Sequence, residues 1–232
     1  MCGIAGSWSR LASEAGPTRL TTALSAIRHR GPDDQGTFAW DNRQTGSRVD
    51  LGMVRLAILD LSHAGHQPMA TDDGRFVITF NGEITNYVEI REELRKLGTA
   101  FESSSDTEVL LKAWEQWGVD CLSRLEGMYA FAVLDTRERS LTLVRDPFGI
   151  KPLYWTHDEN VLTFCSELKG LISLGGTSPR LDWQTAVDYL QWSVVDHTER
   201  TFVEGVSQLA PGHYVVLNTD TGSVTGPIRF WH

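Results

Sequence analysis

The chain of 232 residues carries a formal net charge of −9 at pH 7, with 41% hydrophobic and 22% charged residues. That composition is typical of a soluble globular protein, and no apolar run reaches the roughly 18–20 residues that a membrane span requires. The acidic balance excludes a basic face large enough to bind a nucleic acid backbone, but it allows small polar ligands. We therefore expect a cytoplasmic protein without a signal peptide, with neither nucleic acid nor membrane as a partner.

The hydrophobic patterns and turn residues predict the elements in chain order. The N-terminal half predicts a strand at 2–8, a helix at 17–31, strands at 36–40, 48–61 and 75–81, and helices at 86–98 and 105–118. The C-terminal half predicts strands at 128–135, 140–146, 152–158 and 161–166, helices at 167–174 and 183–192, and a last strand at 213–218. Asp73–Gly74 predicts a tight turn, and Ser105 with Glu108 forms a capping box at a helix start.

These elements predict the fold class. Strands that follow one another through short turns, and helices that arrive in blocks, favour a layered α+β architecture with antiparallel sheets. A regular βαβ alternation and a Gly-rich phosphate loop are both missing from the sequence. We expect one domain over residues 1–210, followed at 211–232 by the last strand and the start of a connection.

The three cysteines, Cys2, Cys121 and Cys165, are an odd number at wide spacing, which fits neither a disulfide framework nor a zinc site. The apolar or helical surroundings of Cys121 and Cys165 predict core positions. His63 and His66 have a spacing that could suit a metal ion, but no further cluster completes a site, so we expect none.

Cys2 directly follows the initiator methionine in the opening MCGIAG. If Met1 is removed, the cysteine carries a free α-amine, whose ordinary pKa of about 7.7–8.0 suits it to accept the thiol proton near neutral pH. Cys2 would then supply both a nucleophile and its base. The alternative is that a cysteine follows the start codon by chance, and this residue by itself does not decide between the two.

Four other residues could complete such a site. Asn81 and Gly82 lie between a predicted strand and helix, where a side-chain amide and a glycine N–H can both donate to one oxyanion, although both residues are also common in turns. Arg55, in an apolar strand pattern, needs a carboxylate partner from a substrate or from within the chain. Asp106 could bind an ammonium group, or it could simply favour the start of a helix.

Together with several longer motifs, these residues resemble the glutaminase domain of asparagine synthetases. That domain is a branch of the class II glutamine amidotransferases within the N-terminal-nucleophile hydrolases. The matching stretches are MCGIAG, RHRGPDDQG, RLAILDLS with GHQPM, NGEITNY, SDTEVLL, LEGMYAFAVLD, RDPFGIKPLY, SELKGL and FVEGVSQLAPGHYVV. They occur in the family's order and cover nearly the whole chain. Thr85 departs from the family's usual tyrosine in NGEIYN. We expect this change to alter packing at the turn and to leave the anion hole intact.

The resemblance implies a four-layer αββα sandwich of two antiparallel sheets, and it implies a role for each candidate. Cys2 would attack the glutamine amide to form a thioester, Asn81 and Gly82 would form the oxyanion hole, and Arg55 would bind the substrate carboxylate. The substrate ammonium would contact Glu83 and Asp106. The pocket would be lined by the backbone of Leu56, Ala57, Ile58 and Leu59 and shaped by His29, Arg30 and Asp33.

The resemblance runs out near the family's domain junction, so it implies a C-terminal synthetase-like domain or subunit as the partner that receives ammonia. ATP and Mg²⁺ would belong to that part, which would amidate aspartate or another carboxylate, and no cofactor is expected in this chain. A homodimer is left open. The competing hypothesis is a catalytically silent binding or scaffold module, as in related peptide cyclases, but the chain retains Cys2 and the other site residues, which favours an enzyme.

Overall fold

Two six-stranded antiparallel sheets form the centre of the computed structural model, which describes residues 1–12, 15–175 and 179–231. The first sheet has the order β10-β8-β9-β1-β3-β2 and the second the order β12-β11-β7-β6-β5-β4. The strands are β1 (Gly3–Ser9), β2 (Asp34–Asp41), β3 (Arg48–Arg55), β4 (Met69–Ala70), β5 (Phe76–Ile84), β6 (Gly127–Asp135), β7 (Ser140–Arg145), β8 (Tyr154–His157), β9 (Val161–Cys165), β10 (Ser207–Gln208), β11 (His213–Asn218) and β12 (Val224–Arg229).

Helices cover the outer faces of both sheets, because each sheet has an apolar face on either side. The α-helices are α1 (Ala15–Ala26), α2 (Tyr87–Lys96), α3 (Asp106–Trp117), α4 (Leu168–Leu174) and α5 (Trp183–Trp192). Helices α1 and α4 pack on the first sheet through Leu24 and Leu171, and α2 and α3 pack on the second through Leu94 and Leu110. This arrangement confirms the predicted α+β fold with four αββα layers.

The core between the sheets explains why the central strands read as continuous apolar runs rather than alternating ones. Leu51 and Phe164 of the first sheet pack against Val77, Ala132 and Leu143 of the second, and all five are fully buried. Residues of the opposite parity on these strands face the helices instead. Both faces are therefore apolar, and Cys121 and Cys165 occupy buried positions as predicted.

One predicted strand is longer than the observed one. The prediction over 48–61 is right only as far as Arg55, and residues 56–62 form a loop without regular structure. Strand β2 begins at Asp34, opposite Arg55, so no neighbouring strand continues beyond this pair. The apolar letters of this loop resemble a strand, but Ile58 and Leu61 are 70% and 79% exposed.

Two other regions also differ from the prediction: the end of helix α1 and the C-terminal strand β12. Helix α1 ends at Ala26, and residues Arg28–Arg30 form a separate 3-10 turn instead of the last turn of one helix. Strand β12 was not predicted; the sequence indicates the start of a connection there, yet Val224–Arg229 pairs with β11 and completes the second sheet. Position 232 of the predicted connection lies outside the described residues.

The N-terminus of α3 is held by a rearranged capping box. The Ser105 side chain accepts a hydrogen bond from the backbone N–H of Glu108, as the sequence predicts. The Glu108 carboxylate, however, accepts from the backbone N–H groups of Glu102 and Ser103 and not from that of Ser105. These bonds fix the chain just before Asp106 and so determine where this carboxylate lies.

We predict that Leu143→Ala lowers the free energy of unfolding by about 2–5 kcal/mol, because the change leaves a cavity between the two sheets. Leu190→Ala is the matched control, since Leu190 is 82% exposed and its truncation should change stability by no more than about 0.5 kcal/mol. Urea denaturation of both variants measures the difference. Equal losses would contradict the assignment of Leu143 to the inter-sheet core.

Candidate active site

A cavity of about 180 Å³ lies where the ends of β1, β3 and β5 meet the N-terminus of α3. It brings together most of the residues that the sequence predicts for the site, from four separate parts of the chain. The lining residues are Met1, Cys2, Met53, Arg55, Leu56, Ile58, Leu59, Gln67, Phe80, Asn81, Gly82, Glu83, Ser105, Asp106, Thr107 and Lys151.

Cys2 immediately precedes β1, whose first residue, Gly3, pairs with Val54 of β3. This register places the thiol beside the chain that follows Arg55, and Cys2 Sγ donates to the carbonyl oxygen of Leu56 at 3.6 Å. On the other side, Arg30 Nε donates to the carbonyl oxygen of Cys2 at 2.8 Å. The backbone and the side chain of Cys2 are therefore both anchored at the wall of the cavity.

The surroundings of Cys2 have opposing effects on the pKa of its thiol. Burial raises the pKa of the Cys2 thiol, because a thiolate loses solvation there, while the positive N-terminus and Arg55 oppose this rise. In the chain that retains Met1, the protonated thiol is thus favoured. A nearby proton acceptor is needed to form the thiolate.

The pairing of β5 with β6 leaves one backbone N–H directed at the cavity. Tyr129 lies opposite Gly82, and its N–H and carbonyl groups bond to Asp146 on the far side of β6. Gly82 and Tyr129 are therefore a non-hydrogen-bonded pair, and the Gly82 N–H points away from β6. A side chain at Gly82 would collide with the carbonyl oxygen of Met128, so only glycine fits this close approach.

Asn81 supplies a second donor beside Gly82. Its side chain is 1% exposed, and among the described residues its Nδ2 has no hydrogen-bond partner. A buried amide without a partner is costly, by about 1–3 kcal/mol, unless a ligand or water satisfies it. Asn81 and Gly82 both line the cavity that Cys2 also lines, so this part of the cavity wall carries hydrogen-bond donors close to the thiol.

Arg55 is buried with no carboxylate within ion-pair distance in the described part of the chain. Its Nη2 instead donates to the carbonyl oxygens of Leu59 at 2.9 Å and Asp60 at 2.6 Å. Gly65 packs against the guanidinium so closely that a side chain there would overlap it. These contacts leave the positive charge of Arg55 unneutralised at the cavity wall, where it can attract a carboxylate.

Asp106 and Glu83 provide negative charge at the other side of the cavity. Asp106 is 6% exposed, and its Oδ2 accepts from the backbone N–H of Ile84 at 3.0 Å. Burial raises the pKa of this carboxyl group, and the hydrogen bonds from backbone N–H groups of Ile84 and Thr107 oppose the rise. Glu83 lines the cavity from an exposed position. The cavity thus has a positive and a negative wall, which suits a zwitterionic ligand.

Four of the predicted site residues do not line the cavity. Ala57 donates its N–H to the carboxylate of Asp33 at 2.9 Å, so Asp33 holds the loop 56–62 from outside the cavity. His29 is exposed and contacts Glu167. Arg30 acts on the cavity only through the carbonyl group of Cys2.

Several contributors were not predicted from the sequence. Glu167 Oε1 accepts from Arg30 Nη1 at 3.0 Å and so holds the arginine that anchors Cys2. Gln67 and Lys151 line the cavity, and Asp60 fixes the loop 56–62. Motif position could have indicated Gln67 and Glu167, since both lie in the matching stretches GHQPM and SELKGL, but a motif does not say what a side chain contacts.

The remaining sequence expectations concern a turn, metals and membranes. Thr85, three residues beyond Gly82, donates through its N–H and its hydroxyl group to the carbonyl oxygen of Glu126.

His66 bonds to Asp34 at 2.8 Å, and within the described ranges no group of three or more His, Cys, Asp or Glu side chains could hold a metal ion. None of the helices in that part of the chain is long and apolar enough to cross a bilayer.

Comparison with known proteins places these features in a family. The family model described as "Glutamine amidotransferase domain" matches residues 1–231. Asparagine synthetase (glutamine-hydrolyzing) 1 of Bacillus subtilis is 36% identical over 228 residues, covering 97% of this chain and 34% of the relative. Asparagine synthetase (glutamine-hydrolyzing) 2 of the same organism is 34% identical, covering 95% and 29%. The chain spans about a third of the length of the curated relatives it matches.

Among solved structures, glutamine phosphoribosylpyrophosphate amidotransferase from B. subtilis, complexed with ADP and GMP, superposes with a TM-score of 0.68. The match is 20% identical and covers 97% of this chain and 49% of the other. At this identity the likeness concerns the fold alone, and it agrees with the predicted four-layer αββα sandwich of two antiparallel sheets.

We predict that Asp60→Asn destabilises the chain at pH 7 and that its difference from the wild type shrinks as the pH falls from about 4 towards 2. Hydrogen bonds from Ser62 and Ser104 lower the pKa of Asp60 to about 2. A carboxyl group whose pKa is lowered by folding stabilises the fold above its unfolded pKa, and this contribution is lost as it becomes protonated.

Asparagine tolerates the positive φ of 53° that Asp60 adopts, so the substitution removes the charge without adding backbone strain. Urea unfolding at several pH values provides the measurement. A difference that stays constant from pH 7 to pH 2 would show that the charge of Asp60 contributes nothing to holding the loop.

Proposed function

The chain belongs to the family of glutamine amidotransferase domains, and on this basis we propose that Cys2 hydrolyses the side-chain amide of glutamine in the cavity. The observation that carries the proposal is that Asn81, whose Nδ2 has no partner among the described residues, and Gly82, whose N–H points away from β6, line the same cavity as Cys2. A nucleophile beside two convergent donors is what acyl transfer requires.

The first step needs removal of Met1. In the chain that retains it, Met1 lines the cavity and the α-amine is one residue away from the thiol-bearing Cα. After removal, the α-amine belongs to Cys2 itself and can accept the thiol proton, directly or through one water molecule. The thiolate then attacks the amide carbon, and the resulting oxyanion accepts hydrogen bonds from Asn81 and Gly82.

The second step expels ammonia and the third releases glutamate. The α-ammonium group of Cys2 returns its proton to the departing nitrogen, the C–N bond breaks, and a thioester with Cys2 remains. Water, deprotonated by the same α-amine, attacks the thioester carbon. A second oxyanion forms in the same hole, the C–S bond breaks, and the thiol is regenerated.

The two walls of the cavity suit the amino-acid end of glutamine. Arg55 would bind the α-carboxylate, and Asp106 and Glu83 would bind the α-ammonium group. A bound ammonium group would lower the pKa of Asp106 and offset the cost of burying this carboxylate. The loop 56–62 would position the substrate through its backbone, held by Asp33 and Asp60.

The ammonia would pass to a synthetase-like domain that amidates aspartate or another carboxylate, with ATP and Mg²⁺ serving that domain. Two things support this part: the names of the curated relatives, and the two thirds of their length that this chain does not cover. No residue of this chain is assigned to ATP or Mg²⁺. Cytoplasmic location and homodimer formation stay predictions.

We predict that Cys2→Ala abolishes glutamate release from glutamine, because Cys2 is the one cysteine among the described residues that line the cavity. Cys121→Ala is the matched control and should retain activity, since Cys121 is buried under helix α3, away from the cavity. Glutamate is measured enzymatically, and intact mass establishes that Met1 has been removed. A processed wild type that binds glutamine and does not hydrolyse it would contradict the proposal and support the silent binding module.

We predict that Arg55→Ala and Asn81→Ala separate substrate binding from catalysis. Arg55→Ala should mainly raise the KM for glutamine, because the carboxylate contact is made in the ground state and the transition state alike. Asn81→Ala should lower kcat by about 10²–10³, because the oxyanion forms only during the reaction. Steady-state kinetics give both constants, and an unchanged KM in Arg55→Ala would remove this residue from carboxylate binding.

A further inference from the structure

The free edge of β5 shows how the Gly82 donor is kept available. Strand β4 pairs only with Val77 and Ile78, so β5 has no neighbouring strand on that side from Phe80 to Ile84. Along a strand, every second N–H points to the same edge. The N–H groups of Phe80, Gly82 and Ile84 therefore all point to the edge beside the cavity.

The two outer N–H groups of this edge are occupied by side chains. Phe80 donates to Gln67 Oε1 at 2.7 Å, and Ile84 donates to Asp106 Oδ2 at 3.0 Å. Gly82 lies between them. Two residues of a strand span roughly 7 Å, so neither side chain reaches the central N–H while it bonds to its own partner.

From this arrangement, and resting on the proposed glutamine hydrolysis, we propose that Gln67 is a positioning residue for the oxyanion hole. Its amide occupies the Phe80 N–H and thereby leaves Gly82 as the single open donor of the edge. It does not contact the reacting atoms in this role; it acts through the backbone of β5.

The second contact of Gln67 explains why an amide is required. Gln67 Nε2 donates to Thr107 Oγ1 at 3.0 Å, at the start of α3 next to Asp106. The side chain is 3% exposed, and it joins the β5 edge to the helix that carries Asp106. A carboxylate at position 67 could still accept from Phe80, but it would place a second negative charge beside the developing oxyanion.

Loss of Gln67 would have two consequences for the donors. The Phe80 N–H would become an unsatisfied buried group, which draws in water or shifts the strand to find another acceptor. Either change moves or hydrates the neighbouring Gly82 N–H. Because a misplacement of about 1 Å can cost up to about 10²-fold in rate, the effect should appear in the chemical step.

The test compares Gln67→Leu with Gln208→Leu. Gln208 is also buried and also bonded through both ends of its amide, to Arg145 and to the carbonyl oxygen of Thr198, but it does not line the cavity. We expect Gln67→Leu to lower kcat for glutamine about tenfold with KM within about threefold of the wild type. Gln208→Leu should leave both constants unchanged.

A second measurement separates positioning of the oxyanion hole from displacement of the nucleophile. Alkylation of Cys2 by iodoacetamide forms no oxyanion, and Cys121 and Cys165 are buried in the folded protein. The alkylation rate should therefore stay within about twofold of the wild type in Gln67→Leu. A kcat within twofold of the wild type, or a fall in alkylation that equals the fall in kcat, would overturn the proposal.

Two further measurements test the role of Gln67 independently of the kinetics of Gln67→Leu. If Gln67→Leu does not fold, Thr107→Val removes only the second contact and should lower kcat about threefold. Amide hydrogen exchange in Gln67→Leu should accelerate at Phe80 and stay unchanged at Ile84; equal exchange at Phe80 would overturn the role of Gln67. This measurement does not depend on glutamine, so a wild type without glutaminase activity would contradict the proposed function alone.

Discussion

The shortness of strand β4 is the constraint on which the site depends. Because β4 covers only two residues of β5, the rest of that edge needs other hydrogen-bond acceptors. Gln67 and Asp106 satisfy two of its three N–H groups, and the third, at Gly82, has no partner among the described residues. A longer β4 would have paired with Gly82 and closed the edge, so the open N–H on which the proposed anion site rests is a consequence of the incomplete sheet.

The site also depends on the meeting of the two sheets. Cys2 immediately precedes β1 and Arg55 ends its neighbour β3 in the first sheet, whereas Asn81 and Gly82 belong to β5 of the second. The apolar core between the sheets holds these groups in register, because its side chains are close-packed and fully buried. The apolar core therefore closes the cavity on the side between the sheets.

Polar side chains support the site from outside the cavity. Glu167 holds Arg30, and Arg30 holds the carbonyl group of Cys2. Asp33 and Asp60 fix the loop that carries the Arg55 contacts. Each of these carboxylates accepts hydrogen bonds from donors that are distant in sequence or belong to a loop. This explains why residues from several separate motifs support the same cavity.

The sequence by itself determined the order of the helices and of the strands other than β4, β10 and β12. It also determined the α+β class and the candidates Cys2, Asn81, Gly82, Arg55 and Asp106, because periodicity, caps and motifs are local signals. It did not determine the end of β3 or the existence of β12. An apolar run forms a strand only where a partner strand lies beside it, as the exposed Ile58 and Leu61 show. Only the tertiary structure decided which N–H of β5 stays open and that Gln67 borders it, because the direction of a backbone donor depends on pairing between strands far apart in the chain.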